Sequence, residues 1–184
     1  LKASNIGIST KSIALAAVLG ATTLALNLTG PLSLALPPFY ITMRFSAPLL
    51  FIGVLIDPLG GIFGAMIGNF VYNLMMGRPH APFTGLLGQF IYYVIFLFIA
   101  RYRGKITTPR LLIATICTAI TKALYISTVL SVFYNIPFSV LFPGILIGIS
   151  ISNVVIGFPV LITVLPRIKE HVPYEVLIGS AKKH

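Results

Sequence analysis

Residues 123–166 read ALYISTVLSVFYNIPFSVLFPGILIGISISNVVIGFPVLITVLP, a run of 44 residues with no lysine, arginine, aspartate or glutamate. A helix needs about 20 apolar residues to cross the hydrocarbon core of a bilayer. The run is long enough for two crossings. Tyr134-Asn135-Ile136-Pro137 divides it, because asparagine and proline interrupt a helix. Working outward, residues 12–43, 58–77 and 79–100 are also free of these charges. The chain of 184 residues is 57% hydrophobic and 9% charged, with a mean hydropathy of +1.01. An ordinary soluble domain carries about 25% charged residues. A soluble fold of this size cannot hide so much apolar surface from water. The composition excludes a soluble enzyme, a disordered chain and a disulfide scaffold. It predicts an all-α integral membrane protein.

The breakers place six transmembrane helices at Ser12–Leu28, Met43–Ile56, Leu59–Met76, Phe83–Tyr102, Arg110–Phe133 and Ser139–Leu165. Thr29-Gly30-Pro31, Asp57-Pro58, Gly77-Arg78-Pro79, Pro109 and Pro166 mark the other boundaries. Pro31–Tyr40 is apolar but too short to span, so a re-entrant or interfacial loop is expected after helix 1. The first apolar run is longer than the core of a secretory signal and lacks a cleavage pattern, so it is expected to remain as a span. The organisation expected is a cytoplasmic segment 1–11, a six-helix membrane domain 12–166 and a polar cytoplasmic tail 167–184. Within the tail, Tyr174–Ile178 is expected as a short surface helix.

The chain has 13 basic and 3 acidic residues. Basic residues gather on the cytoplasmic side of membrane proteins. With the N-terminus inside, ten fall on the inner side: Lys2, Lys11, Arg101, Arg103, Lys105 and Arg110, then Arg167, Lys169, Lys182 and Lys183. Only Arg44 and Arg78 fall outside, and Lys122 lies within a span. Both termini are therefore expected in the cytoplasm. No basic helix with interleaved aromatics is present, so nucleic acid is not an expected partner. Cys117, the single cysteine, is expected to be a small packing residue.

Small residues let membrane helices approach closely. Ala17, Ala21 and Ala25 recur every four residues in span 1, beside the pair Ala16 and Gly20. Gly60, Gly64 and Gly68 form a similar stripe in span 3, and Gly144 and Gly148 in span 6. Most of these suit internal packing. The span 1 alanines also suit a docking face for another membrane subunit.

An ionisable residue inside a membrane is costly and points to function. Lys122 lies mid-span, too far from either end to snorkel easily. Tyr125 shares its helix face. Gln89, Tyr92 and Tyr93 lie in span 4 and Asn153 in span 6. Asn73, Arg78 and His80 lie near the predicted outer face with Arg44 and Tyr40, and together they suit an outward-opening pocket. Amides and tyrosines read polar rings, and arginine or lysine holds a carboxylate or phosphate. No phosphate loop, HExxH or GxSxG motif occurs. His80, His171 and His184 are scattered, so no metal site is expected, and no cofactor. With one Asp and two Glu, coupling to protons or sodium through carboxylates is difficult. An enzyme is not expected.

This arrangement resembles the substrate-binding S-components of energy-coupling factor (ECF) vitamin transporters. Chain length and six-span layout are similar. Ala17-x-x-x-Ala21 resembles the AxxxA docking motif of that family. Residues 41–77, ITMRFSAPLLFIGVLIDPLGGIFGAMIGNFVYNLMMG, look like the family's segment in which a basic residue enters span 2, a short turn follows, and a Gly-rich span 3 begins. The resemblance covers most of residues 12–165. It implies a subunit that captures a vitamin or related micronutrient near the outer face. It implies docking through span 1 on a transmembrane coupling subunit driven by two cytoplasmic ATPases, with toppling in the membrane to release substrate. It also implies a lid from Leu28–Tyr40 and Gly77–Pro82, and a pocket from spans 4–6 that includes Gln89, Tyr92, Tyr93, Lys122, Tyr125 and Asn153. The chain departs from thiamin-binding members in having no tryptophan and no acid in its outer half. It lacks the N-terminal His-rich pattern of nickel and cobalt members. A neutral or anionic ligand is therefore expected, such as a carboxylated vitamin. The alternative is a structural or assembly subunit of a larger membrane complex.

Overall fold

The computed structural model describes residues 9–29, 32–36, 39–43, 46–173 and 175–178. Helix α1 spans Thr10–Leu28. Strands β1 (Leu32–Leu36) and β2 (Phe39–Met43) follow, then helices α2 (Ser46–Ile56) and α3 (Pro58–Met75). A π-helical segment, Pro82–Leu87, runs directly into α4 (Gly88–Ala100). The short strand β3 (Lys105–Ile106) precedes α5 (Thr108–Tyr134). Helix α6 (Phe138–Ser150) continues through a second π-helical segment, Ile151–Gly157, into α7 (Phe158–Val164). Strand β4 is Glu175–Val176.

Four stretches are long and apolar enough to cross a membrane: Thr10–Leu28, Pro82–Ala100, Thr108–Tyr134 and Phe138–Arg167. These apolar helices suggest a membrane-embedded protein. Helix α3 has 18 residues, but glycines and two asparagines dilute its apolar character. Helix α2 has 11 residues, a rise of about 16 Å against a hydrocarbon core of about 30 Å. It starts later than the sequence suggests, at Ser46 rather than Met43. It is the centre of the bundle, since Leu50, Phe51, Val54 and Leu55 are fully enclosed. Phe51 stacks on Phe96 of α4 with ring centroids 4.3 Å apart.

The helix ends follow from local chemistry. Asp57 caps α3, accepting from the amides of Leu59 (3.1 Å) and Gly60 (3.2 Å) through one oxygen. Its other oxygen accepts from the Ser12 hydroxyl at 2.5 Å, tying the start of α1 to that of α3. Pro58 occupies the first helical position, where its missing N–H costs nothing. Asp57→Ala removes both the cap and the link to α1. It is expected to lower unfolding stability by about 1–2 kcal/mol, read from thermal unfolding in detergent, with Asp57→Asn intermediate. No change in Asp57→Ala would refute that role. Helix α5 ends at Tyr134, with Asn135 in the left-handed region (φ 54°).

Helices α1 and α3 meet along the Gly60, Gly64 and Gly68 stripe. Gly60 faces the backbone of Ser12, Gly64 faces Ala16 and Leu19, and Gly68 faces Gly20 and Thr23. The Ala16 and Gly20 pair is therefore internal packing. Ala17, Ala21 and Ala25 lie on the opposite, exposed face of α1. Ala17 borders a shallow groove with Ile13, Phe63 and Ile67.

The segment expected as a re-entrant or interfacial loop after α1 contains an antiparallel ribbon. Strands β1 and β2 pair from Leu32↔Met43 to Leu36↔Phe39, and β2 lies against α6. Strand pairing satisfies the backbone where a short loop would leave it open. The tail segment at Glu175–Val176 is a strand rather than a surface helix, and it pairs parallel with β3. Val172 is buried, and Ile168, Val176 and Ile178 pack on the core. Apolar side chains thus draw a polar-looking tail onto the bundle. Tyr174 lies outside the described residues.

Candidate functional site

A cavity of about 390 Å³ opens where α3 and α5 end and α2, α4 and α6 begin. Its polar groups come from several helical segments and the turn after α3. Helix α3 contributes Asn69, Tyr72 and Asn73, the following turn Arg78 and His80, and the first π-helical segment Thr84. Gln89 of α4 and Lys122 of α5 reach its depth, with Ser152 and Asn153 from the second π-helical segment. The apolar walls are Ile126 and Leu130 of α5, Ile145 and Ile149 of α6, and Leu50 of α2.

The sequence places these side chains by helical spacing. Lys122, Ile126, Leu130 and Tyr134 recur every four residues, one face of α5. They follow the cavity along about 18 Å of helix axis. Both π-helical segments border the cavity. A widened turn displaces side chains from a regular helix face, and such turns recur at functional sites.

Hydrogen bonds orient most of the amides. Arg78 donates to Asn73 Oδ1 at 3.0 Å. Arginine can only donate, so Asn73 Nδ2 faces the Thr84 hydroxyl at 3.3 Å. That hydroxyl donates in turn to the His80 carbonyl at 3.2 Å. The chain of contacts binds the end of α3, the turn and the π-helical segment into one unit. The Arg78 guanidinium also lies 5.3 Å from the Tyr72 ring centroid. On the far wall, Asn69 Nδ2 donates to the Ala65 carbonyl, and its Oδ1 accepts from Asn27 of α1 at 3.4 Å. At the rim, His80 Nδ1 and the Tyr134 hydroxyl share a hydrogen bond of 3.2 Å.

The Lys122 ammonium lies 5.5 Å from the centroid of the Tyr92 ring, a cation–π distance. Tyr92 is fully buried beneath it and edge-on to Tyr125, centroids 5.8 Å apart. Tyr125 donates to the Phe83 carbonyl at 3.2 Å.

The structure therefore brings Asn73, Arg78, Gln89, Lys122 and Asn153 together around one cavity. Tyr92 supports Lys122 from behind, and Tyr125 ties α5 to the first π-helical segment. Tyr93 lies elsewhere, in the core against Phe51 with ring centroids 5.7 Å apart. It is one residue along from Tyr92, so it points about 100° away around the helix. Arg44 lies outside the described residues. The sequence reading missed Thr84, Ser152 and the rim role of Tyr134. The four-residue spacing from Lys122 would have found Tyr134, but nothing in the sequence marks the π-helical segments.

Compared with known proteins, the chain matches no family model, no curated protein and no solved structure. The functional reading rests on the cavity itself. Among the described residues, no group of three or more His, Cys, Asp or Glu is placed to hold a metal ion.

Proposed function

We propose that the protein is the substrate-capture subunit of an ATP-driven importer of the ECF type. In this reading six helical segments are embedded in the cell membrane, with both termini in the cytoplasm. The cavity faces outward and receives a vitamin-like small molecule. Ala17, Ala21 and Ala25 dock on a transmembrane coupling subunit that works with two ATPases. The alternative is a structural subunit of a larger membrane complex, which needs no ligand.

The observation that carries the proposal is a cation-bearing, amide-lined cavity at one end of an apolar bundle. The opposite end carries Arg101, Lys105, Arg110, Arg167 and Lys169. The bias of basic residues toward the cytoplasm turns that end inward and the cavity outward. A cavity of about 390 Å³ is within the range used for drug-sized ligands. The exposure of the alanine stripe leaves a smooth face on α1 for another helix.

The test is mass spectrometry of proteins that co-purify with the tagged chain from its native membrane. A membrane coupling protein together with two ATPases is the expected result, with Ala21→Leu losing them while remaining folded. An unrelated assembly would favour the structural reading. Recovery of the chain alone, under conditions that keep other complexes intact, would refute docking.

A further inference from the structure

The cavity is lined by two strong cations, Arg78 and Lys122, and by no carboxylate. The chain has only three acidic side chains, and all are placed elsewhere. Asp57 caps α3 at the opposite end of the bundle. Glu175 pairs with Lys105 at 3.1 Å. Glu170 is exposed in the tail, beyond α7. Asn73 and Tyr72 lie against Arg78 and Tyr92 lies against Lys122, all of them neutral groups. Neutral neighbours orient a cation without cancelling its charge, and charge interactions strengthen as water is excluded.

The depth of the cavity also has open hydrogen-bonding capacity. Gln89 is 2% exposed. Its Nε2 donates to the Thr84 carbonyl at 3.1 Å. A carbonyl only accepts, so the amide cannot be turned round. Gln89 Oε1 is left without a hydrogen-bond partner among the described residues. Asn153 is likewise 2% exposed and borders the cavity. A buried acceptor without a donor is unusual and costly.

We propose that the cavity selects an organic anion that also carries a neutral N–H or O–H donor. The anionic group sits by Lys122, the donor meets Gln89 Oε1, and Asn153 reads the adjoining polar edge. An apolar body lies along Ile126, Leu130, Ile145 and Ile149. This assignment rests on the reading of the cavity as a substrate site, and deepens it to a chemical class. A membrane fatty acid shares the anion and the apolar body but lacks the donor.

Thermal unfolding of the purified full-length chain in detergent tests the assignment with one matched set of probes at millimolar concentration. Pyroglutamate has the carboxylate and the lactam N–H. 2-Pyrrolidone lacks the carboxylate, N-methylpyroglutamate lacks the donor, prolinamide is a cation, and palmitate represents a membrane lipid. Pyroglutamate is expected to stabilise the protein at concentrations about ten-fold lower than any other member, the ratio for one lost buried contact. Lys122→Met should make pyroglutamate and 2-pyrrolidone equivalent. Gln89→Leu should erase the discrimination against N-methylpyroglutamate. Preference for prolinamide, 2-pyrrolidone or palmitate overturns the proposal, as does no response to any member. Preferences unchanged in both variants overturn it as well. Recovery of coupling protein and ATPases without the anion preference would defeat the ligand class alone. An anion preference without those partners would defeat the importer reading alone.

Discussion

Gly68→Leu is expected to destabilise the protein by about 3 kcal/mol or more, enough to remove most folded material from the membrane. A Cβ at Gly68 would lie 2.6 Å from the Gly20 carbonyl oxygen and 2.8 Å from Thr23 Cβ. The nearest obstacle is backbone, so no side-chain rotation relieves it. The same seam is tight elsewhere, with Gly60 against the Ser12 carbonyl at 2.7 Å and Gly64 against Leu19 Cβ at 2.7 Å. Helix α1 would have to move away from α3, and the link between Asn27 and Asn69 would break with it. Ala21→Leu is the control, because it adds a similar side chain on the exposed face of α1, away from the seam. Its unfolding temperature should match the parent's. Equal stability of Gly68→Leu and the parent would show that the α1–α3 seam does not hold the fold.

Lys122→Met is expected to act in opposite directions on stability and on capture. Without ligand, the variant should unfold at a higher temperature, by about 1–2 kcal/mol of stability. A lysine at the centre of a span costs about 2.5–3.5 kcal/mol on insertion scales. The cation–π contact with Tyr92 returns about 0.5–2 kcal/mol of that. Methionine keeps the length and packs against Ile126 without a charge. With an anionic ligand, the order should reverse, because the parent gains a charge pair that the variant cannot make. The affinity loss should be about ten-fold to a hundred-fold, as for a charged hydrogen bond. Denaturation with and without ligand separates the two effects. A ligand-free variant less stable than the parent would mean that Lys122 is a structural residue.

Several parts of the architecture were legible from local signals. Charge-free runs located the helices, and Asp57-Pro58, Gly77 and Asn135-Ile136-Pro137 located their ends. Those features act within a few residues of themselves. Proline lacks an amide hydrogen, an aspartate reaches the next turn's amides, and asparagine tolerates left-handed backbone. The same chemistry holds in any surroundings, so it can be read without them. The spacing of polar residues also nominated five of the side chains that the cavity gathers.

Other parts were settled only by distant partners. Tyr92 and Tyr93 are the same residue type in adjacent positions, yet one underlies Lys122 and the other meets Phe51 from α2. The small residues of α1 divide between a buried seam and an exposed face, depending on where α3 lies. Tail residues 175–176 became a strand because β3 offered an edge to pair with, and residues 32–36 and 39–43 became strands by pairing with each other. The π-helical segments shift Thr84 and Asn153 against the regular helix register. The sequence by itself determined the apolar character, most helix boundaries and the scarcity of acids. The tertiary structure alone decided which cations share a cavity and which acids stay away, because charge pairing depends on distance in space and not along the chain.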